Sequence, residues 1–210
     1  MNRYNLPRNM ASVNANTGLT FISHRGMHLN GVPENSLDAY RYAGLCGYDF
    51  AETDFQPTAD GHLVLMHDAT INRTMRNKID YSVISEDVEV NSKTLAELRE
   101  GYVLASDDPR YRREIPTLEE FYITCKHSGI FPIAEIKNIG ITAEHVRQAF
   151  EIGKRIMGDG NFGFCSFSTA LLDYARSLSD NILLLYISTD ILGTTNEVTG
   201  TERATDKTWW

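Results

Sequence analysis

The chain has 210 residues, 42% of them apolar and 23% charged, which is enough for one well-buried domain and excludes a disordered, collagenous or disulfide-rich class. Lys and Arg total 20 against 28 Asp and Glu, a formal charge of -8, so a polyanion such as nucleic acid is repelled rather than steered in. A local group of carboxylates can still collect a divalent cation and reverse that sign where a phosphate binds. Cys46, Cys125 and Cys165 stand at wide, unrelated spacings with no CxxC pair, and read as small buried hydrophobes rather than zinc or redox ligands. Residues 1–18 carry scattered Asn and no apolar core, unlike a signal peptide. The longest apolar stretch, residues 182–187, is far short of the roughly 20 residues of a membrane helix. The default expectation is a cytoplasmic protein without stable membrane insertion.

In chain order, short β-rich runs alternate with helical patterns, the signature of βα units around a mostly parallel sheet. Six candidate strands cover residues 19–24, 48–54, 62–67, 131–136, 162–167 and 182–187. The helix after the first strand starts at Asn35 or Ser36, carries Leu37, Tyr40 and Ala43, and stops at Gly47. Residues 69–115 break the alternation: they are polar, contain a charged run at 107–113, and show one short helical pattern from Thr94. They read as an insertion on the loop side, either a surface excursion or a substrate-shaping element. Alternation resumes with a capping-box pair, Thr117 and Glu120, ahead of a helix ending near Gly129. Further helices open at Thr142, running to Gly158, and at Ser168, carrying Leu171, Leu172, Ala175 and Leu178. Residues 188–210 read as a polar tail with no seventh or eighth unit. A single α/β domain over 1–210 follows, a TIM-type barrel with about six visible units and the last two missing or atypical.

The ionisable residues gather at the C-terminal ends of these strands, the catalytic rim of such a barrel. His24-Arg25-Gly26 ends the first strand: an imidazole there transfers protons near neutral pH, and the guanidinium beside it can hold a phosphate through two hydrogen bonds. Glu52 and Asp54 end the second, and strand alternation puts both carboxylates on one face. His67-Asp68 ends the third and supplies the second imidazole that an acid and base pair needs. Glu135 lies in an otherwise hydrophobic fourth strand with Lys137 on the same face. Buried carboxylates call for a counter-charge, and three with open positions suit Mg²⁺ or Ca²⁺ better than zinc. Singly, each has a plainer reading: a capped strand end with a surface Arg, an exposed acidic strand end, a structural histidine bonded by Asp68, a Glu135–Lys137 salt bridge. His28, His62, His127 and His145 read as surface residues, and Ser168 as a helix cap.

In order, HRG, PENS, ExD, DGHLVLMHD, NRT, PTLEE and ExK span residues 22–137, and this series resembles the glycerophosphodiester phosphodiesterases. The resemblance implies a TIM barrel with a small insertion after the third strand. It implies catalytic roles for His24 and His67, metal ligation by Glu52, Asp54 and Glu135, phosphate contacts by Arg25 and Lys137, and site support by Glu34 and Asn35, with Glu34 near the metal. The expected reaction is hydrolysis of a small-molecule glycerophosphodiester to sn-glycerol 3-phosphate and an alcohol, with one divalent cation, Mg²⁺ or Ca²⁺. Two other readings stand beside it. One is a related phospholipase acting on lysolipid or phosphoinositol head groups, with Tyr81, Tyr102 and Tyr111 as candidate contacts. The other is a truncated, catalytically impaired barrel acting as a binding or structural module.

Overall fold

The computed structural model describes residues 20–138, 140–188 and 202–205; the N-terminal segment and most of the expected tail lie outside them. The strands are β1 (Ile22–Ser23), β2 (Phe50–Pro57), β3 (Leu63–Leu65), β4 (Met75–Asn77), β5 (Tyr102–Leu104), β6 (Phe131–Glu135), β7 (Gly163–Ser166), β8 (Leu183–Ser188) and β9 (Glu202–Thr205). The α-helices are α1 (Leu37–Leu45), α2 (Leu95–Gly101), α3 (Leu118–Ser128), α4 (Ala143–Met157) and α5 (Thr169–Leu178). Strands β1, β2, β6, β7, β8 and β9 pair in that order, all parallel, with helices α1, α3, α4 and α5 packed in succession outside them. This is a partial TIM-type α/β barrel: six parallel strands among the described residues, where a closed barrel has eight.

Strand alternation sorts β2 into two faces. Ala51 and Phe55 join the core under the helices, with Tyr40, Phe121, Tyr122, Phe162 and Phe164. Phe50 points to the other side, the barrel interior, where Phe131, Ile133, Cys165, Leu185 and Ile187 fill the floor. Glu52 and Asp54 continue the Phe50 face one and two steps toward the strand's C-terminal end. The interior therefore runs from an apolar floor to a carboxylate rim.

The helix starts follow the sequence signals. Thr117 and Glu120 form a reciprocal capping box on α3, which ends on Gly129 in the left-handed conformation, φ 70°. Thr94 and Glu97 form another on α2, Thr142 caps α4 with His145 taking the usual carboxylate's place, and Ser168 caps α5. Of the two candidate caps for α1, Ser36 accepts from the Ala39 N–H, which leaves the Asn35 side chain for another partner.

Two expectations are corrected. The run 62–67 is no barrel strand: β3 pairs antiparallel with β2, Phe55 facing Leu65. A tight turn joins them, with Thr58 N–H donating to His62 C=O (2.8 Å) and Gly61 at φ +81°. A parallel crossover needs about a dozen residues or more, so a loop this short permits only a hairpin, and Asp60-Gly61 was its signal. The sixth parallel strand is instead β9, inside the segment read as a strandless tail; Leu185 aligns with Glu202 there. Smaller corrections concern side chains. Cys46 is exposed, unlike buried Cys125 and Cys165. His145 is half-buried, whereas His28, His62 and His127 are exposed.

Residues between β3 and α3 form a small unit with its own core. Ile71, Met75, Ile84, Val90, Leu98, Leu104 and Ile115 pack with Val64 and Met66, and β4 pairs antiparallel with β5.

Candidate active site

Parallel pairing of β2 with β6 sets Asp54 directly beside Glu135, and Glu52 lies two residues earlier on the same face. One carboxylate oxygen from each of Glu52, Asp54 and Glu135 lies within 4.8 Å of the others. All three residues are buried. Lys137, just past β6, reaches back between two of them: its Nζ is 2.6 Å from Asp54 Oδ1 and 2.9 Å from Glu135 Oε1.

The loop after β1 closes the other side. Arg25 is held at φ 53°, a conformation few non-glycine residues adopt. Its backbone N–H then donates to Glu52 Oε2 (3.0 Å), while Nε sits 3.1 Å from Asp54 Oδ2 and NH1 donates to Glu34 Oε1 (3.1 Å). Gly26 follows at φ +80°, and an added Cβ would fall 2.6 Å from the Ala39 Cβ of α1, so the HRG glycine lets this loop pack on the helix. Asn35, freed from capping, donates through Nδ2 to Asp54 Oδ2 (3.0 Å). Its Oδ1 accepts from the Tyr40 hydroxyl (2.9 Å) and the Thr53 hydroxyl (3.0 Å). His24 Nε2 stands 4.0 Å from Glu52 Oε2.

The antiparallel return of β3 brings His67 to the same rim. Met66 N–H donates to Asp54 C=O (3.3 Å), and His67 Nδ1 is bonded to Asp68 Oδ1 (2.6 Å). A cleft of about 540 Å³ opens here, lined by His67, Glu135, Lys137, Gln56, Glu89 and Phe167 among others. Tyr81 and Tyr111 spend their hydroxyls elsewhere, on Ser106 C=O and on Tyr42, and Tyr102 packs on the insertion core; none of the three lines this cleft.

The electrostatics favour a bound cation. Burial, reinforced by Asp54 and Glu135, pushes the Glu52 carboxyl well above its usual range. Glu135 is also raised by burial, which outweighs Lys137 beside it. Burial alone would raise Asp54 too, but Lys137 and Arg25 hold it below the usual value. Three buried carboxylates thus share two cations, and Glu52 Oε1 has no hydrogen-bond partner. A divalent ion at this point supplies the missing charge and the missing contact, so the donor set fits one. Burial and the adjacent Arg25 lower His24 to about 4, against the opposing pull of Asp54.

All nine residues singled out in the sequence, His24, Arg25, Glu34, Asn35, Glu52, Asp54, His67, Glu135 and Lys137, converge on this rim. Sequence reasoning named the Asp68 bond to His67 only as the plainer, structural reading of that histidine, left Arg73 without a site role and missed Tyr40 and Thr53. The signal for Arg73 was its place five residues after Asp68, in the loop leaving a strand-end histidine.

A carboxylate trio with two histidines at the C-terminal rim of a parallel α/β barrel defines a candidate phosphoester site. The comparisons agree. The model of the glycerophosphoryl diester phosphodiesterase family matches residues 24–207, and the chain belongs to that family. It is 28% identical over 171 residues to glycerophosphodiester phosphodiesterase 1 of Bos taurus, covering 79% of this chain and 48% of that protein. It is 29% identical over 143 residues to the glycerophosphodiester phosphodiesterase of Bacillus subtilis, covering 59% of this chain and 45% of that one. The chain thus spans just under half the length of these curated relatives. An Oleispira antarctica phosphodiesterase, solved with its product sn-glycerol-3-phosphate, superposes with a TM-score of 0.71 at 26% identity, covering 84% of this chain and 67% of that one. No helix among the described residues is long and apolar enough to cross a membrane.

Proposed function

We propose that this chain hydrolyses small-molecule glycerophosphodiesters to sn-glycerol 3-phosphate and an alcohol, using one divalent cation, Mg²⁺ or Ca²⁺. The observation that carries the reading is the buried trio Glu52, Asp54 and Glu135, one positive charge short and with an unpartnered Glu52 oxygen, beside two histidines. Family membership and the product bound by the Oleispira relative support the substrate class.

The reaction adds charge to an already anionic phosphorus and expels a poor alkoxide. Glu52, Asp54 and Glu135 would hold the cation, which when bound would supply positive charge to the phosphate oxygens. Arg25 and Lys137, anchored on the same carboxylates, direct their remaining donors at those oxygens without reorganising as the transition state forms. One of His24 and His67 removes a proton from the nucleophile and the other protonates the leaving oxygen. Glu34 and Asn35 keep Arg25 and Asp54 in register.

A purified-protein assay on glycerophosphocholine, with and without EDTA, tests this. Release of glycerol phosphate that stops with EDTA and returns with Mg²⁺ or Ca²⁺ is expected, and replacing His24 or His67 with Ala should lower kcat by about 10²- to 10⁴-fold. Absence of metal-dependent release from any glycerophosphodiester or lysophospholipid would remove the assignment.

A further inference from the structure

The Asn72-Arg73-Thr74 motif has no part in the scheme above, yet Arg73 is the most heavily paired cation at the rim. Its Nε lies 2.6 Å from Asp68 Oδ2, its NH1 2.9 Å from Glu34 Oε2 and its NH2 2.8 Å from Glu34 Oε1, with a fourth contact from NH2 to Asp68 Oδ1 at 3.3 Å. Four of its contacts thus go to carboxylates, and the planar fork grips one acid along each edge. Little is left for a phosphate.

One acid contacts a histidine and the other contacts the residue beside one. Asp68 Oδ1 is 2.6 Å from His67 Nδ1. Glu34 Oε1 also accepts from Arg25, the residue next to His24. Arg73 comes from the insertion, but Glu34 lies in the loop after β1 and Asp68 in the loop after β3. One guanidinium therefore ties the two histidine-bearing loops together. We infer that Arg73 is a positioning residue: through Asp68 it fixes the His67 tautomer, with Nδ1–H donated to Asp68 and Nε2 turned to the cleft, and through Glu34 it sets the span between the two imidazoles. Burial raises the Asp68 carboxyl, but Arg73 and His67 outweigh it and lower it to about 2, so the carboxylate is held in its charged form. A carboxylate that orients an imidazole is effective only in that ionised, fixed state. What the two imidazoles do in catalysis rests on the function proposed above; the geometry of the strap does not.

The alternative is an ordinary surface ion-pair cluster, since the Arg73 side chain is 48% exposed and such pairs contribute little. Imidazole ¹⁵N NMR of the protein, assigned through His67→Gln, separates the two. The strap predicts one neutral tautomer for His67, protonated at Nδ1, and a mixture in Arg73→Ala and in Arg73→Gln, the second variant keeping most of the stem. In the hydrolysis assay both variants should lose about 10- to 100-fold in kcat, the range for removing the partner that orients a functional imidazole. KM and the metal-induced rise in Tm should not move. Arg73→Lys should not rescue, because one ammonium cannot bridge two carboxylates as a fork does. An unchanged His67 spectrum in the folded variants, or a kcat equal to wild type, would overturn the inference. If the wild-type protein hydrolyses no diester, the proposed function fails while the NMR comparison still decides the strap.

Discussion

Around Asp54 the protein gathers three carboxylates and two cations in a buried space; around Arg73 it gathers two carboxylates and one guanidinium that is 48% exposed. The residue types are the same and the consequences are opposite. At the buried centre the charges do not balance, burial forces the Glu52 and Glu135 carboxyls upward, and the arrangement is left one cation short. At the exposed strap the acids move the other way, Glu34 and Asp68 both lying below the usual carboxylate range once Arg73 outweighs their burial. A carboxylate cluster denied solvent and enough fixed cations thus has the makings of an ion site. Where solvent remains in reach and one guanidinium pairs with both acids, as at Arg73, a similar cluster stays structural.

Substitutions sharpen that contrast. Lys137→Met leaves three buried carboxylates facing Arg25 alone, and in EDTA it should cost about 3–5 kcal/mol of stability in urea denaturation. Arg73→Met, in the exposed cluster, should cost less than about 1 kcal/mol. Equal costs would break the distinction.

A smaller effect separates the two regions by pH. Glu52 has a folded pKa above its unfolded value, so its contribution is fully present below the unfolded value and is lost as pH rises through the folded one. Asp68 is the reverse: its folded pKa of about 2 lies below the ordinary 3.8, so its contribution is present above pH 3.8 and lost as pH falls through 2. In EDTA, His24, lowered to about 4, costs stability as pH falls below 6.5, so the Glu52 contribution is read as the difference between wild type and Glu52→Gln. That difference should move in favour of wild type as pH falls from 7 toward 5; stability should then decline below pH 4 as Asp68 protonates. Asp68→Asn should blunt only the acid limb, which thermal melts across that range would check.

Much of this was legible in the sequence. The caps at Thr94, Thr117, Thr142 and Ser168 are local chemistry, readable from side chains a few residues apart. The carboxylate pair followed from strand alternation alone, and Glu135 from the cost of a charge in a buried strand. The hairpin at 58–62 was missed because an apolar run of strand length looks alike in parallel and antiparallel pairing; only the loop length and Asp60-Gly61 distinguish them. Strand β9 was missed because its polar sequence, Glu202 to Thr205, carries no apolar run, and its place is set by pairing with β8. The Arg73 strap was invisible for a third reason: Glu34 lies 39 residues away, and only the fold brings the two together.

The central claim is that Glu52, Asp54 and Glu135 hold one divalent cation. Thermal unfolding of the wild-type protein and of Glu52→Gln and Glu135→Gln, with Mg²⁺ or Ca²⁺ titrated into metal-free samples, tests it most directly, because an ion that binds only the folded state raises the melting temperature by mass action. A concentration-dependent rise in wild type that disappears in both variants is the predicted result. The same rise in all three proteins would place the ion elsewhere and contradict the account.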